Sequence, residues 1–204
     1  GIRVSYFGNP FIDKYDFSDE YGEKILLLPG SRRQEIVKML PVMLELVKAE
    51  EDEKFVLRLA DESHLNYIPF DQADYPNMEI SFSKLEDIRK ELRMAVATSG
   101  TVTFEMALMG LPVIVGYKTS SLNVFIARNI LKIAYISLTN IGASKEVLPE
   151  LIQNDFNIKN IKKKMNYIDN SKKAVVESLL ESRVLMGEKG VTDRISQFIL
   201  ERAL

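Results

Sequence analysis

Two short stretches of this chain combine small, hydroxyl-bearing and charged residues in an order suited to binding phosphate. The first is Leu28-Pro29-Gly30-Ser31-Arg32, directly after an apolar run. Gly30 lets a ligand come close to the backbone, and Ser31 adds a hydroxyl beside it. The Arg32 guanidinium can fork two N–H donors onto one phosphate. A tight turn whose arginine pairs with a carboxylate such as Glu35 is the competing reading. The second stretch, Thr98-Ser99-Gly100-Thr101, leads into Val102-Thr103-Phe104-Glu105. Hydroxyl-bearing residues at a helix start present several donors to a diphosphate at once. Glu105 sits one turn deeper on the same helix face, where a carboxylate can accept from both hydroxyls of a ribose. Here the alternative is a Ser/Thr cap with Glu105 in a surface ion pair. The flanking Phe104, Met106, Ala107, Leu108 and Met109 imply a mostly buried helix, however, and a carboxylate there needs a partner.

Three weaker signals lie downstream. Tyr117, in Gly116-Tyr117-Lys118, closes a strand at the same sheet edge, where its ring or backbone could meet a base or sugar. Ser137 to Gly142 reads as a polar loop, and Asn140 within it can both donate and accept, as sugar recognition requires; an ordinary turn asparagine does the same. The apolar segment Leu122 to Lys132 carries Arg128 and Lys132. It reads as a core helix with snorkelling basic ends, with docking on a membrane or lipid as the alternative.

The elements that must position these groups follow from the hydrophobic pattern. Lys24 to Leu28 is a continuous apolar run stopped by Pro29-Gly30, the mark of a strand covered on both faces. Ile36, Met39, Leu40, Met43, Leu44 and Val47 then follow helical spacing to about Ala49, with Pro41 placed to kink or split the helix. Further strands are expected at Phe55 to Leu59, Met78 to Phe82, Met94 to Thr98 and Pro112 to Tyr117. Asp61 to Asn77 reads mainly as loop. Ser83 and Glu86 fit a capping box opening a helix to about Arg93. Glu146 to Gln153, Ile158 to Ile168 behind Asn157, Ser171 to Met186 and Thr192 to Ala203 read as helices. The fold class is therefore α/β, a Rossmann-like doubly wound parallel sheet with extra C-terminal helices. Residues 1–22 read as an inter-domain linker or entry segment, 23–170 as the Rossmann-like domain and 171–204 as closing helices.

Composition narrows the function classes. The chain has 204 residues and a formal net charge of −2, without the basic excess of a nucleic-acid binder. It has no cysteine and one histidine, His64, so thiolate or His-rich metal centres and a Ser-His triad are not expected. No cofactor and no nucleic-acid partner are expected. No apolar run reaches the roughly 18 residues of a membrane span. The chain opens on Gly1 without a leader peptide, and is expected to be a piece of a longer one.

These pieces, in this order, resemble the C-terminal half of the lipid A disaccharide synthase family. Leu26 to Arg32 with Glu35-Ile36 looks like that family's first nucleotide-side loop. Ala97 to Thr101 with Glu105, then Gly110-Leu111-Pro112 and Gly116-Tyr117, is similar to its second. Ile126-Ala127-Arg128, Tyr135 to Asn140 and Glu146 to Leu151 continue the likeness, which runs from about Tyr6 to Asp155. The resemblance implies one half of a GT-B-type glycosyltransferase that joins a UDP-linked diacylglucosamine to a lipid-linked glucosamine 1-phosphate. The reaction inverts the anomeric centre, releases UDP and requires no metal. By the same resemblance Arg32 and Asn140 match functionally important positions, expected to act in catalysis. Ser99, Gly100, Thr101 and Glu105 match diphosphate and ribose contacts; Gly30, Ser31 and Tyr117 complete the expected donor-binding set. The family implies a cytoplasmic protein, peripheral at the inner face of the inner membrane. Its closing helices cross back to the other half and sometimes pair two chains. This sequence departs from the family with Asn9 in place of the usual histidine of Gly-His-Pro and Thr139 in place of proline. The acceptor-side half, with its general base, is expected to lie outside the chain. Another UDP-sugar enzyme half, of the peptidoglycan glycosyltransferase or 2-epimerase type, and a non-catalytic nucleotide-binding module are the alternatives.

Overall fold

The computed structural model describes residues 4–67, 70–118 and 134–203. The segment Leu122 to Lys132 lies outside the described residues. Six parallel strands form one sheet in the order β3-β2-β1-β4-β5-β6. They are β1 (Lys24–Leu28), β2 (Phe55–Arg58), β3 (Met78–Ser81), β4 (Leu92–Thr98), β5 (Val113–Tyr117) and β6 (Glu150–Ile152). Every β1 residue after Lys24 is buried, and so is nearly all of β4, because helices cover both faces.

Strand order reverses between β1 and β4, which pair from Lys24↔Leu92 to Leu28↔Ala97. From β1 the chain steps outward to β2; from β4 it steps the opposite way to β5. Right-handed crossovers therefore send α2 (Arg33–Ala49) and α4 (Thr101–Leu108) to opposite faces, leaving a crevice at the carboxyl ends of β1 and β4. The two glycine-containing turns stand on either side of it. Pro41, exposed on the outer face of α2, does not split that helix, which runs unbroken from Arg33 to Ala49.

Three elements differ from the sequence expectation. The Glu146 to Gln153 stretch is not a helix: Glu150–Ile152 adds strand β6, Val115 donating to the Pro149 carbonyl as pairing begins. An edge strand needs only one set of ladder bonds, so three residues after a proline suffice. The expected helix from Ser83 shrinks to one turn, α3 (Leu85–Ile88), followed by a 3₁₀ turn at Arg89–Glu91. Lys84, not Ser83, precedes it, and the Ser83 carbonyl instead accepts from Arg58 Nε at 2.6 Å. Asn140 lies not in a loop but in α5 (Leu138–Ala143), capped by the Ser137 hydroxyl.

The leading segment is packed against the domain over much of its length. Its short helix α1 (Phe11–Lys14) begins where Asn9 Oδ1 accepts from the Phe11 amide at 3.0 Å, and Ile12 and Tyr15 join the main core. The buried Arg89 donates to the carbonyls of Ser18, Glu20 and Met109, fastening the same segment to the sheet. The chain closes with α6 (Ile158–Asn170), α7 (Lys172–Leu185) and α8 (Val191–Ala203). Arg183 of α7 binds the Leu108 carbonyl at the end of α4, at 2.7 Å, and the Tyr15 carbonyl at 2.7 Å. A cation there also suits the negative end of the α4 dipole. Asp13 supplies the cap that α8 lacks locally, accepting from the amides of Gly190, Val191 and Thr192 and from the Thr192 hydroxyl.

Candidate functional site

A cavity of about 430 Å³ opens at the crevice between β1 and β4. Its lining brings Gly30, Ser31, Arg32 and Glu35 from one turn together with Ser99, Gly100, Thr101 and Glu105 from the other, and adds Thr98, Arg58 and Ala60. Seven of the nine sequence-predicted site residues therefore share one cavity; Asn140 and Tyr117 do not line it.

The first turn is closed on itself. Glu35 reaches back from the first turn of α2, Oε2 accepting from the amides of Ser31 (3.1 Å) and Arg32 (3.3 Å) and Oε1 from the Arg32 guanidinium (3.0 Å). A carboxylate thus occupies the turn's donors, as the ion-pair reading of Arg32 expects. Gly30 answers to the same contact: its φ is +114°, and a Cβ there would fall 2.5 Å from Glu35 Oε2. Its glycine is accounted for by Glu35 rather than by ligand approach. The Arg32 side chain stays 82% exposed and can turn toward the cavity.

The second turn is built differently. Gly100 has an extended backbone, and a Cβ placed on it would meet nothing within 4 Å. Among the described residues no side chain caps α4, so the Thr101 and Val102 amides keep their donors, while the Thr103 amide bonds the Gly100 carbonyl. Thr103 turns its hydroxyl inward onto the Gly100 carbonyl at 2.7 Å, and Ser99 Oγ donates to the Ile136 carbonyl at 3.3 Å. Thr98 is buried, and its hydroxyl has no partner among the described residues.

Glu105 is half-buried on α4 and accepts from the Tyr15 hydroxyl at 2.8 Å through Oε2. Lys14 Nζ donates to the same tyrosine oxygen at 2.5 Å and pairs with Glu86 at 3.2 Å. Burial, foremost, pushes the Tyr15 phenol above its ordinary range, so it stays a donor at neutral pH.

Asn140 stands apart from the cavity. It is fully buried and spends all four side-chain hydrogen-bonding positions within the chain. Nδ2 donates to the Leu148 carbonyl and to Glu150 Oε1, and Oδ1 accepts from the amides of Val147 and Leu148, each at 2.8 Å. It ties α5 to the approach of β6 and presents nothing to a ligand. Glu150 completes the knot by accepting from the amides of Ile136 and Ser137 and from the Ser137 hydroxyl. Tyr117 closes β5 half-exposed, paired with Ile152 of β6 and outside the cavity lining. Thr139 is buried with its hydroxyl unpaired among the described residues.

Two participants escape sequence reasoning. Tyr15 lies ninety positions from Glu105 in a stretch with no regular pattern, and no local signal joins them. Arg58 could have been found, because it ends β2, the strand beside β1, and so stands at the same rim as Arg32.

A 3-2-1-4-5-6 parallel sheet with two loop-to-helix turns facing one crevice defines a class: the chain is a Rossmann-like, doubly wound α/β domain. Solved structures with this fold include the glycotransferase of kitacinnamycin, with a TM-score of 0.61 and 15% identity, covering 92% of this chain and 44% of that one. A putative UDP-N-acetylglucosamine 2-epimerase from Listeria monocytogenes gives a TM-score of 0.58 at 19% identity, covering 95% and 52%. At such identities the likeness speaks for the fold alone, and it spans two kinds of chemistry. The sequence is more specific: residues 2–202 match the Lipid-A-disaccharide synthetase family, and the chain belongs to it. Lipid-A-disaccharide synthase of Geobacter sulfurreducens is 30% identical over 223 residues, covering 98% of this chain and 58% of the relative. That of Rickettsia conorii is 33% identical over 207 residues, covering 93% and 46%. The chain thus spans about half the length of the curated relatives it matches.

Proposed function

We propose that this chain is the donor-binding half of a glycosyltransferase, holding a UDP-sugar, UDP-diacylglucosamine, for transfer to a lipid-linked glucosamine acceptor carried by the other half. Convergence of the Arg32 turn and the Ser99-Gly100-Thr101 turn on one cavity is the observation that carries the reading. Gly100 strengthens it, since the fold makes no demand for a glycine there while a backbone in contact with a ligand would. The diphosphate lies over the start of α4, where free amides and the helix dipole favour negative charge. Arg32 leaves Glu35 to reach the phosphate, and Arg58 supplies a second cation at the rim. Glu105 takes the ribose hydroxyls. Departing UDP is stabilised by these fixed donors, which needs no proton transfer from this half and leaves the anomeric centre to invert under attack by the acceptor. The exposed apolar side chains Val184, Leu185, Ile199 and Leu200 on the closing helices support packing against the acceptor half or a second copy. On this reading the whole enzyme works at the cytoplasmic face of the inner membrane; among the described residues no helix is long and apolar enough to cross a membrane.

Titration calorimetry with UDP, UMP and uridine tests the reading. Affinity is expected to fall stepwise as phosphates are removed, and equal binding of UDP and uridine would refute it.

A further inference from the structure

The leading segment contributes a residue that the family likeness does not assign. We propose that Tyr15 is a positioning residue for Glu105, fixing the carboxylate so that it recognises a nucleotide by its ribose hydroxyls. The inference rests on Glu105 being the ribose contact.

The Tyr15 side chain has one well-defined place. It is 2% exposed, its ring lies near-parallel to that of Phe11 at 6.4 Å, and Phe11 in turn sets its edge on Phe104, the residue before Glu105. The ring and the helix carrying Glu105 are therefore packed as one unit. The hydroxyl holds Glu105 Oε2 at 2.8 Å, while Oε1 has no hydrogen bond among the described residues and remains for a ligand. A carboxylate on a helix surface otherwise samples several rotamers, and each one that faces away from the ribose lowers affinity. Lys14 sharpens the arrangement: its ammonium donates into the tyrosine oxygen, and a hydroxyl that accepts from a cation donates more strongly to its own acceptor. Lys14 is itself held by Glu86 on α3. The positioning thus comes from a segment whose sequence carries no nucleotide-binding pattern.

The test compares UDP with 2′-deoxy-UDP by calorimetry on the 204-residue chain, wild type and Tyr15→Phe. Wild type is expected to prefer UDP by about tenfold, the worth of one hydrogen bond to a charged group. In Tyr15→Phe the preference should shrink to about two- to threefold while binding of the deoxy analogue stays unchanged, since the unfixed carboxylate then spends part of its time in rotamers that do not face the ribose. The ratio is the deciding quantity, since a general loosening of the domain would weaken both nucleotides together. Lys14→Met, which leaves the ring packing intact, provides an independent arm in case Tyr15→Phe folds poorly, and should lower the ratio in the same direction. Unchanged ratios in the folded variants would overturn the proposal. If wild type binds UDP but does not discriminate against the deoxy analogue, the ribose role of Glu105 fails and the proposal with it. No binding of UDP at all would sink the donor-site reading itself.

Discussion

Replacing Asn140 with alanine separates a ligand contact from a buried scaffold. The substitution removes both acceptor bonds to the Val147 and Leu148 amides and both donor bonds to the Leu148 carbonyl and Glu150. Glu150 keeps the donors of Ile136 and Ser137, so its loss is partial. Three backbone groups are left orphaned, two of them on Leu148, which is only 1% exposed. Each orphaned buried group costs about 1–3 kcal/mol. The neighbouring Ser144 to Glu146 are exposed and can admit water, which favours the lower end of that range. A loss of about 3–5 kcal/mol follows, a large share of the roughly 5–15 kcal/mol that holds a domain folded. For a chain of this size it corresponds to a fall in Tm of about 6–20 °C. Asn140→Asp should be at least as harmful at neutral pH, because its carboxylate would face the Leu148 carbonyl and Glu150 without a proton to donate. Its deficit relative to wild type should narrow on acidification, as protonation restores a donor. Thermal and urea melts, run beside UDP titrations, are the assay. An Asn140→Ala chain that melts like wild type but has lost nucleotide or sugar binding would refute the scaffold role.

The two turn glycines should respond in opposite ways. Gly100→Ala should leave Tm unchanged but weaken UDP binding at least about tenfold, since the added methyl meets only the space reserved for ligand. Gly30→Ala should lower Tm in melts, because its left-handed φ and the Glu35 carboxylate both reject a Cβ. Arg32→Ala should melt like wild type, its exposed pair with Glu35 being worth little, yet cost on the order of a hundredfold in turnover once the chain is joined to the acceptor half in steady-state assays. Hydrogen bonds from Thr192, Gly190 and Val191 lower the Asp13 pKa from 3.8 to about 2. A depressed folded-state pKa means this tie stabilises the fold above pH about 4 and is lost as pH falls toward 2. The gap in Tm between wild type and Asp13→Asn should therefore close across that window in acid melts.

What the sequence revealed, and what it hid, follows from the range of the interactions. Leu26 to Leu28 and Ala95 to Ala97 are covered on both faces, so their burial shows as unbroken apolar runs, and the turns behind them could be located from those runs alone. The cavity was legible to the same extent, because a parallel sheet brings the ends of neighbouring strands to one rim. Strand β6 was hidden because Glu150 spends its carboxylate on four inward donors, so an acidic residue there does not mark a solvent-facing helix. The surroundings of Asn140 were hidden because its type fits ligand recognition and interior bracing equally well. Only the positions of Val147 and Leu148 decide between them. The attachment of the first residues was hidden for a related reason: the contacts of Asp13, Tyr15 and Ser18 are made 71 to 179 positions away, with Thr192, Glu105 and Arg89. Glu35 shows the reverse case, a local contact three residues from Arg32 that the sequence offered as an alternative and that closes the turn.

The claim on which the site rests is that amides from both turns bind one diphosphate. Backbone amide NMR of the chain titrated with UDP observes those groups directly. The largest shifts are expected at Gly100, Thr101 and Val102, with Ser31 and Arg32 moving as Glu35 releases them, and with uridine leaving all five nearly still. Shifts gathered elsewhere on the surface, or equal responses to UDP and uridine, would contradict the account.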